Sequence, residues 1–215
     1  MYLSRNTIRE FLKVVEWATL PSFIILKNGS YTNIDVMPIR IELPRMAALG
    51  QIKRLKHPTG LGRVRVEAVY ADINSKKYDV GSGNIFDHNN CLRNCLARIL
   101  HDHPDARIYI KNDKDADAIV LIGEDKFYIE MERKDDFEEI GEKIEKHYSD
   151  EGAYRVIFFF ATRYSTETEE AHVKKLFETM KKIKYQKPGR ILVACYTEYI
   201  TNGKLYNRKK EEVEL

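Results

Sequence analysis

Val156 to Ala161 reads Val-Ile-Phe-Phe-Phe-Ala with no polar interruption, and nothing else in the 215-residue chain constrains the fold as strongly. Six residues are too few for a helix with one apolar stripe. Branched and aromatic side chains at successive positions suit a strand covered on both faces. Such strands occupy the centre of α/β sheets, with parallel neighbours arriving through crossovers. The helical spacing over Thr168 to Lys184 turns His172, Leu176, Phe177, Met180 and Ile183 inward, and Arg190 to Tyr196 returns as a second buried strand.

Three shorter strands are predicted upstream, over Arg107 to Lys111, Asp117 to Ile122 and Phe127 to Glu132, the last two joined by a hairpin at Gly123 to Lys126. An acidic helix over Asp136 to Tyr148 follows them, supported by the Glu139/Lys143 and Glu142/Lys146 pairs. A helix over Asp87 to His101, with Leu92, Cys95, Leu96 and Ile99 on one stripe, precedes them. The expected class is therefore α/β, with a mixed five-stranded sheet flanked by helices in the order αβββαβαβ. This core is assigned to residues 85–201, between a smaller α+β region at 1–84 and a polar, fraying tail at 202–215. Gly81-Ser82-Gly83-Asn84 is the expected linker.

The amino-terminal region opens with a helix, Ile8, Phe11, Leu12 and Val15 at spacings of three and four, capped by Ser4 or Asn6 and ended before Pro21. Residues 22–43 read as extended, with alternation at Ile34 and Val36 and at Ile39, Ile41 and Leu43. A second helix is expected from Pro44 to Leu55, then alternation over Val64, Val66, Ala68 and Tyr70. Helix followed by hairpin is the outline of a winged-helix module.

Charge is unevenly divided. Up to Phe86 there are 13 Lys and Arg against 7 Asp and Glu, and beyond it 23 against 26. Arg45, Lys53, Arg54, Lys56, Arg63 and Arg65 make the densest basic run and are the candidates for nucleic-acid contact; Lys174, Lys175, Lys181 and Lys182 form a second basic face. A basic appendage beside acidic residues suits an enzyme that holds a polyanion on one surface and a cation on another. Ordinary surface heterogeneity accounts for the same division.

Three cysteines do not close a disulfide framework, and Cys91 and Cys95 are too far apart for a Cys-x-x-Cys pair, so buried thiols are expected. The apolar run at 156–161 falls far short of the roughly 18–20 residues of a membrane span, and mean hydropathy is −0.48. The charged first residues do not resemble a secretory signal. An intracellular, cytoplasmic protein without membrane association is the expectation.

Alternation places Tyr128, Glu130 and Glu132 on one face of the third core strand, with Lys134 two further along, and Phe127, Ile129 and Met131 on the other. Asp117 opens the antiparallel neighbour and is positioned to converge on Glu130. An Asp and a Glu meeting on adjacent strands make a hard oxygen site suited to Mg²⁺ or Mn²⁺. Such a cation polarises a phosphoryl oxygen and activates water, so phosphodiester hydrolysis is the reaction that fits. The competing reading is a solvated strand face. The Asp113, Asp115, Asp117 spacing imitates a calcium loop, but Ala118 stands where that loop needs Gly. His101 and His103 are explained by a helix end stopped at Pro104.

The Ala116-Asp117-Ala118 and Glu130-Met131-Glu132 segments, in this element order, resemble the PD-(D/E)XK nuclease superfamily, the restriction-endonuclease-like fold that includes archaeal Holliday-junction resolvases. The likeness covers about Asp87 to Tyr199. It extends more loosely to replication-relaxation proteins of plasmids and phages and to nuclease-like proteins of archaeal spindle-shaped viruses. It implies Asp117 and Glu130 as metal ligands, the Met131 carbonyl as a third, Mg²⁺ or Mn²⁺ as cofactor and DNA as substrate. Glu132 departs from the pattern, which has lysine there. Lys134 or Lys143 would then supply the ammonium. The first core helix offers no Glu, only Asp87 and His88 at its start, His88 being a candidate for catalysis or for capping.

The expected function is a divalent-metal-dependent endonuclease acting on DNA, including branched or structured DNA, as a two-fold dimer. The alternative is a catalytically inactive DNA-binding or replication accessory protein on the same core.

Overall fold

A computed structural model describes residues 3–31, 36–55, 68–74, 84–110, 116–132, 142, 155–161, 168–182 and 191–215. These residues form two compact units, Met1–Pro104 and Asp105–Leu215. The described part is α/β, with six helices, a seven-stranded mixed sheet and a small three-stranded sheet.

The first unit begins with α1 (Arg5–Val15), whose Ile8, Phe11, Leu12 and Val15 are all buried. Ser4 caps it, its Oγ accepting from the Thr7 N–H at 3.0 Å. β1 (Trp17–Thr19) and α2 (Leu20–Asn28) follow, then α3 (Met37–Ala48), β2 (Lys53–Leu55), β3 (Val69–Ala71) and α4 (Asn84–Asp102). The three strands are antiparallel in the order β1-β3-β2.

Residues 22–28 and 37–43 are helical where extended chain was expected, and 44–48 are helical as expected. Pro21 and Pro38 each occupy the first turn, where a missing N–H costs nothing. The apparent alternation in α3 conceals a helical period: Ile39, Leu43 and Met46 are buried, while Ile41 between them is 62% exposed. Pro44 lies inside α3 instead of starting it. Glu42, buried on the inner side, is ion-paired to Arg5 of α1.

Alternation splits the small sheet into two covered faces. Trp17, Val69 and Ala71 pack with Phe86 of α4, and Leu55 packs against them; the Trp17 and Phe86 rings are stacked at 5.4 Å. Tyr70 points the other way, its ring 6.3 Å from Phe23 of α2. Burying side chains of this size is worth about 1.5–3 kcal/mol each.

The helix expected to open the catalytic core belongs to the first unit. A polar stripe on α4 ties it there. Asn90 and Asn94 accept from the hydroxyls of Thr19 and Ser22 at 2.7 and 2.6 Å. Arg93 Nε donates to the carbonyls of Val15 and Trp17 at 3.0 and 2.9 Å, with its guanidinium 3.9 Å from the Trp17 ring centroid. Burial pulls the Arg93 pKa down to about 9, opposed by Glu16, so the group is still charged at neutral pH. At the far end, Arg98 donates to the Gly29 carbonyl, and the Leu26 carbonyl accepts from His101 Nδ1 at 3.1 Å. His101 thus caps α2. Gly29 is required there: its φ is +71°, and a Cβ would come within 2.6 Å of His101 Nε2.

In the second unit the sheet order is β10 (Glu212–Val213), β9 (Leu205–Asn207), β8 (Ile191–Cys195), β7 (Arg155–Phe160), β6 (Asp125–Glu132), β5 (Ala118–Ile122), β4 (Arg107–Ile110). β4 (Arg107–Ile110), β5 (Ala118–Ile122) and β6 (Asp125–Glu132) form an antiparallel meander. Ile122 pairs with Asp125, so the turn is two residues, Gly123-Glu124, tighter than the expected four, and Gly123 supplies the positive φ of +59° at its first position. β7 (Arg155–Phe160) lies parallel between β6 and β8 (Ile191–Cys195). The helix expected over 136–148 lies outside the described residues apart from Glu142, which is helical.

α5 (Glu169–Lys182) covers one face of this sheet with Val173, Leu176 and Phe177, against Tyr128, Val156, Phe158, Phe160 and Val193. On the opposite face Tyr199 of α6 (Tyr196–Asn202) packs on Phe159, with ring centroids 4.7 Å apart. Both faces of β7 are covered, which is why its sequence is apolar at every position. The expected fraying tail instead adds β9 (Leu205–Asn207) and β10 (Glu212–Val213) beside β8, bringing the sheet to seven strands against the five expected.

Candidate functional site

The acids of interest lie where β5 begins and β6 approaches its end. β5 pairs with β6 from Ala118 opposite Ile129, and just before it the chain bends at Asp117. The Asp117 N–H donates to the Ile129 carbonyl at 3.0 Å, and the Asp117 Oδ2 accepts from the Met131 N–H at 2.7 Å. A carboxylate therefore continues the hydrogen bonding of the ladder for one step after the strand proper has stopped. This seats Asp117 against the main chain of β6, one residue from Glu130.

Glu130 pairs in register with Phe158 on β7 and shares the face covered by α5. It is only 3% exposed. The solvated-face reading expects an exposed side chain at this position. A carboxylate taken out of water needs a hydrogen-bonding or cationic partner. Glu132, in register with Phe160, is half-buried. Met131 is buried on the opposite face with Ile129.

Helical spacing marks His172 only as an inward position of the long helix. It is fully buried at the first turns of α5, its ring edge-on to Phe160 at 6.4 Å. Phe160 is also the register partner of Glu132, so the imidazole and that carboxylate border the same ring. Helical spacing signalled the burial; the adjacency to β6 depends on the parallel pairing of β6 and β7.

Lys134 and Lys143 lie outside the described residues, as do Lys56, Arg63 and Arg65. His88 is on α4 in the first unit, its Nδ1 3.4 Å from Asn89 Oδ1. Arg45 and Arg54 are exposed on α3 and β2. Lys53 shares the face of Leu55, opposite that of Arg54, so the basic run is divided by strand alternation. Lys174, Lys175 and Lys181 are exposed on α5.

Among the described residues no group of three or more His, Cys, Asp and Glu side chains is arranged to hold a metal. Asp117 and Glu130 are two, and both offer oxygen. Mg²⁺ commonly takes one or two protein carboxylates and keeps waters or substrate phosphates at its other positions, so this donor pair fits it. Among the described residues no helix is long and apolar enough to cross a membrane. Comparison of the chain with protein-family models, with curated proteins and with solved structures found no match.

Proposed function

We propose that the chain is a DNA-acting protein whose second unit is a divalent-metal-dependent endonuclease of the restriction-endonuclease-like kind. The observation that carries this reading is the seating of the Asp117 carboxylate on the main chain of β6, 2.7 Å from the Met131 N–H, beside the buried Glu130. Support also comes from the strands around it: β4 to β8 lie in sequential order, β5 alone running against the others, with the two acids on the second and third.

Asp117 and Glu130 would hold Mg²⁺ or Mn²⁺ through carboxylate oxygens. When bound, that cation supplies charge neutralisation on a phosphoryl oxygen and a lowered pKa for water. The ladder hydrogen bond holds Asp117 in one orientation, so little reordering is needed on binding. Glu132 cannot stabilise a developing anion, and Lys134 or Lys143 is left for that role.

DNA as the polymer is supported by the first unit. Its order α-β-α-α-β-β, closing a three-stranded antiparallel sheet as β1-β3-β2, is that of a winged-helix module with α3 as the recognition helix.

The test uses linear duplex and four-way junction DNA with Mg²⁺ or Mn²⁺, comparing wild type with Glu130→Ala and reading binding beside cutting. Metal-dependent nicking that falls at least about a hundredfold in the variant, at unchanged DNA affinity, is the expected result. Nicking that survives the substitution overturns the assignment. A second reading, a non-catalytic DNA-binding or replication accessory protein, is favoured by Glu132 in the lysine position; salt-sensitive binding with no cutting in any divalent metal would select it.

A further inference from the structure

Besides its buried side, made by Ile39, Leu43 and Met46, α3 carries a second apolar stripe that faces water. At 3.6 residues per turn, Met37, Ile41, Pro44 and Ala48 fall within an arc of about 60° on the outer side of the helix. All four are exposed, Met37 to 58% and Ile41 to 62%. Exposed apolar residues scattered singly are ordinary; a stripe that runs the length of a helix marks a surface that meets a partner.

The polar groups beside the stripe are restricted in kind. No exposed residue of α3 is an acid, an amide or a hydroxyl; those that are not apolar are Arg40 and Arg45. The acid of the helix, Glu42, is buried and ion-paired to Arg5. A second copy of this face would bring the same cations and no acid to meet them. A polyanion is its electrostatic complement, in keeping with the 13 Lys and Arg against 7 Asp and Glu up to Phe86.

We propose that α3 reads duplex DNA through the C5-methyl groups of pyrimidines in the major groove. That groove, about 12 Å wide, admits an α-helix, and its base edges present hydrogen-bond donors, acceptors and one apolar group, the C5-methyl. Met37, Ile41, Pro44 and Ala48 offer no strong donor or acceptor. Packed on a methyl they bury apolar surface; packed on an amino or carbonyl edge they strip it of water and leave it unpaired. Arg45 at the border of the stripe is placed to meet a phosphate on the groove wall. Thymine and 5-methylcytosine both carry the group. The inference rests on the DNA reading of the first unit and requires no cutting by the second.

The experiment uses the full chain as wild type, the Met37→Ala/Ile41→Ala double variant, Arg45→Gln, and Ile85→Ala as an exposed apolar residue of α4. Three duplexes share one sequence with runs of thymine and of cytosine. The first is unmodified, the second has uracil for every thymine, and the third is the uracil duplex with 5-methylcytosine for cytosine. Binding is read by anisotropy over a salt series, folding by Trp17 emission and oligomeric state by sedimentation. Wild type should prefer the thymine duplex to the uracil duplex on the order of tenfold, each buried methyl being worth about fourfold. The double variant should bind those two alike with an unchanged salt slope. Arg45→Gln should keep the preference while the slope of log K against log salt falls by about 0.9. Ile85→Ala should match wild type. Affinity restored by 5-methylcytosine makes either pyrimidine a source of the methyl, and affinity not restored confines it to thymine. Equal binding of the thymine and uracil duplexes by wild type, or a preference that survives in the double variant, overturns the proposal and leaves the DNA reading standing. No binding to any duplex overturns both. A wild-type dimer that the double variant dissolves overturns it in favour of self-association. Glu130→Ala should retain the preference, which separates this inference from the catalytic one.

Discussion

Cys195 ends β8 with its thiol buried and with Glu169, Glu170 and Glu198 nearby. Burial, and then those three carboxylates, push its pKa up to about 12. The folded chain therefore holds the thiol proton through a pH range in which the unfolded chain, with a thiol near 8.5, has lost it. The resulting stabilisation is complete below about pH 8.5 and is lost as pH rises towards 12, at up to about 1.4 kcal/mol per unit. Tyr206, raised to about 12 by burial and by its hydrogen bond to Glu198, acts in the same direction above pH 10. Urea unfolding of wild type and Cys195→Ala between pH 8 and 11 should show a shallower decline in the variant, and identical declines would remove the assignment. The same carboxylate cluster has a structural function: Glu169 accepts from the Thr197 N–H at 2.9 Å and its hydroxyl at 3.0 Å, closing the first turn of α6. Alternation alone placed Glu130 and Glu132 on one face. Whether that face was wet depended on α5, and nothing in the local pattern recorded it.

Short apolar segments are ambiguous between helix and strand, and α3 shows how the ambiguity is settled. Ile39, Ile41 and Leu43 satisfy a period of two, yet Ile39, Leu43 and Met46 satisfy the helical period and are the positions buried. The carboxyl-terminal strands show the converse: a polar composition conceals an element whose contribution is edge hydrogen bonding. Leu205 is the apolar anchor of β9, 1% exposed. Removing residues 204–215 strips β8 of its neighbour and exposes a buried strand edge. We expect a loss of about 2 kcal/mol or more in urea unfolding, with aggregation at rising concentration. A truncated chain as stable and as free of aggregation as wild type would show that β9 and β10 contribute only decoration.

For the whole molecule, the boundary between units falls at Pro104 and Asp105, about twenty residues beyond the glycine-containing segment that composition suggested. α4 accounts for the difference. Trp17 is the single tryptophan, fully buried, stacked on Phe86 and beneath Arg93, so its emission reports the attachment of α4. A fragment of residues 1–104 should give the blue-shifted emission of the full chain, and one of residues 1–84, lacking Phe86 and Arg93, a red-shifted one. Equal emission from both would place α4 outside the first unit's fold.

What could be read along the chain was whatever a short stretch records about its own covering: the doubly buried β7, the one-sided stripes of α1, α4 and α5, the alternation of β6, and the acids at Asp117 and Glu130. Those patterns reflect local geometry, because a residue's neighbours within one helical turn or one pleat are set by covalent spacing. Partners were another matter. That Asn90, Arg93, Asn94, Arg98 and His101 bind carbonyls and hydroxyls some seventy residues earlier, and that the Asp117 carboxylate completes a ladder with Met131, are both products of long-range pairing. A polar side chain looks the same in sequence whether water or a distant main-chain group satisfies it, so only the folded arrangement distinguishes the two.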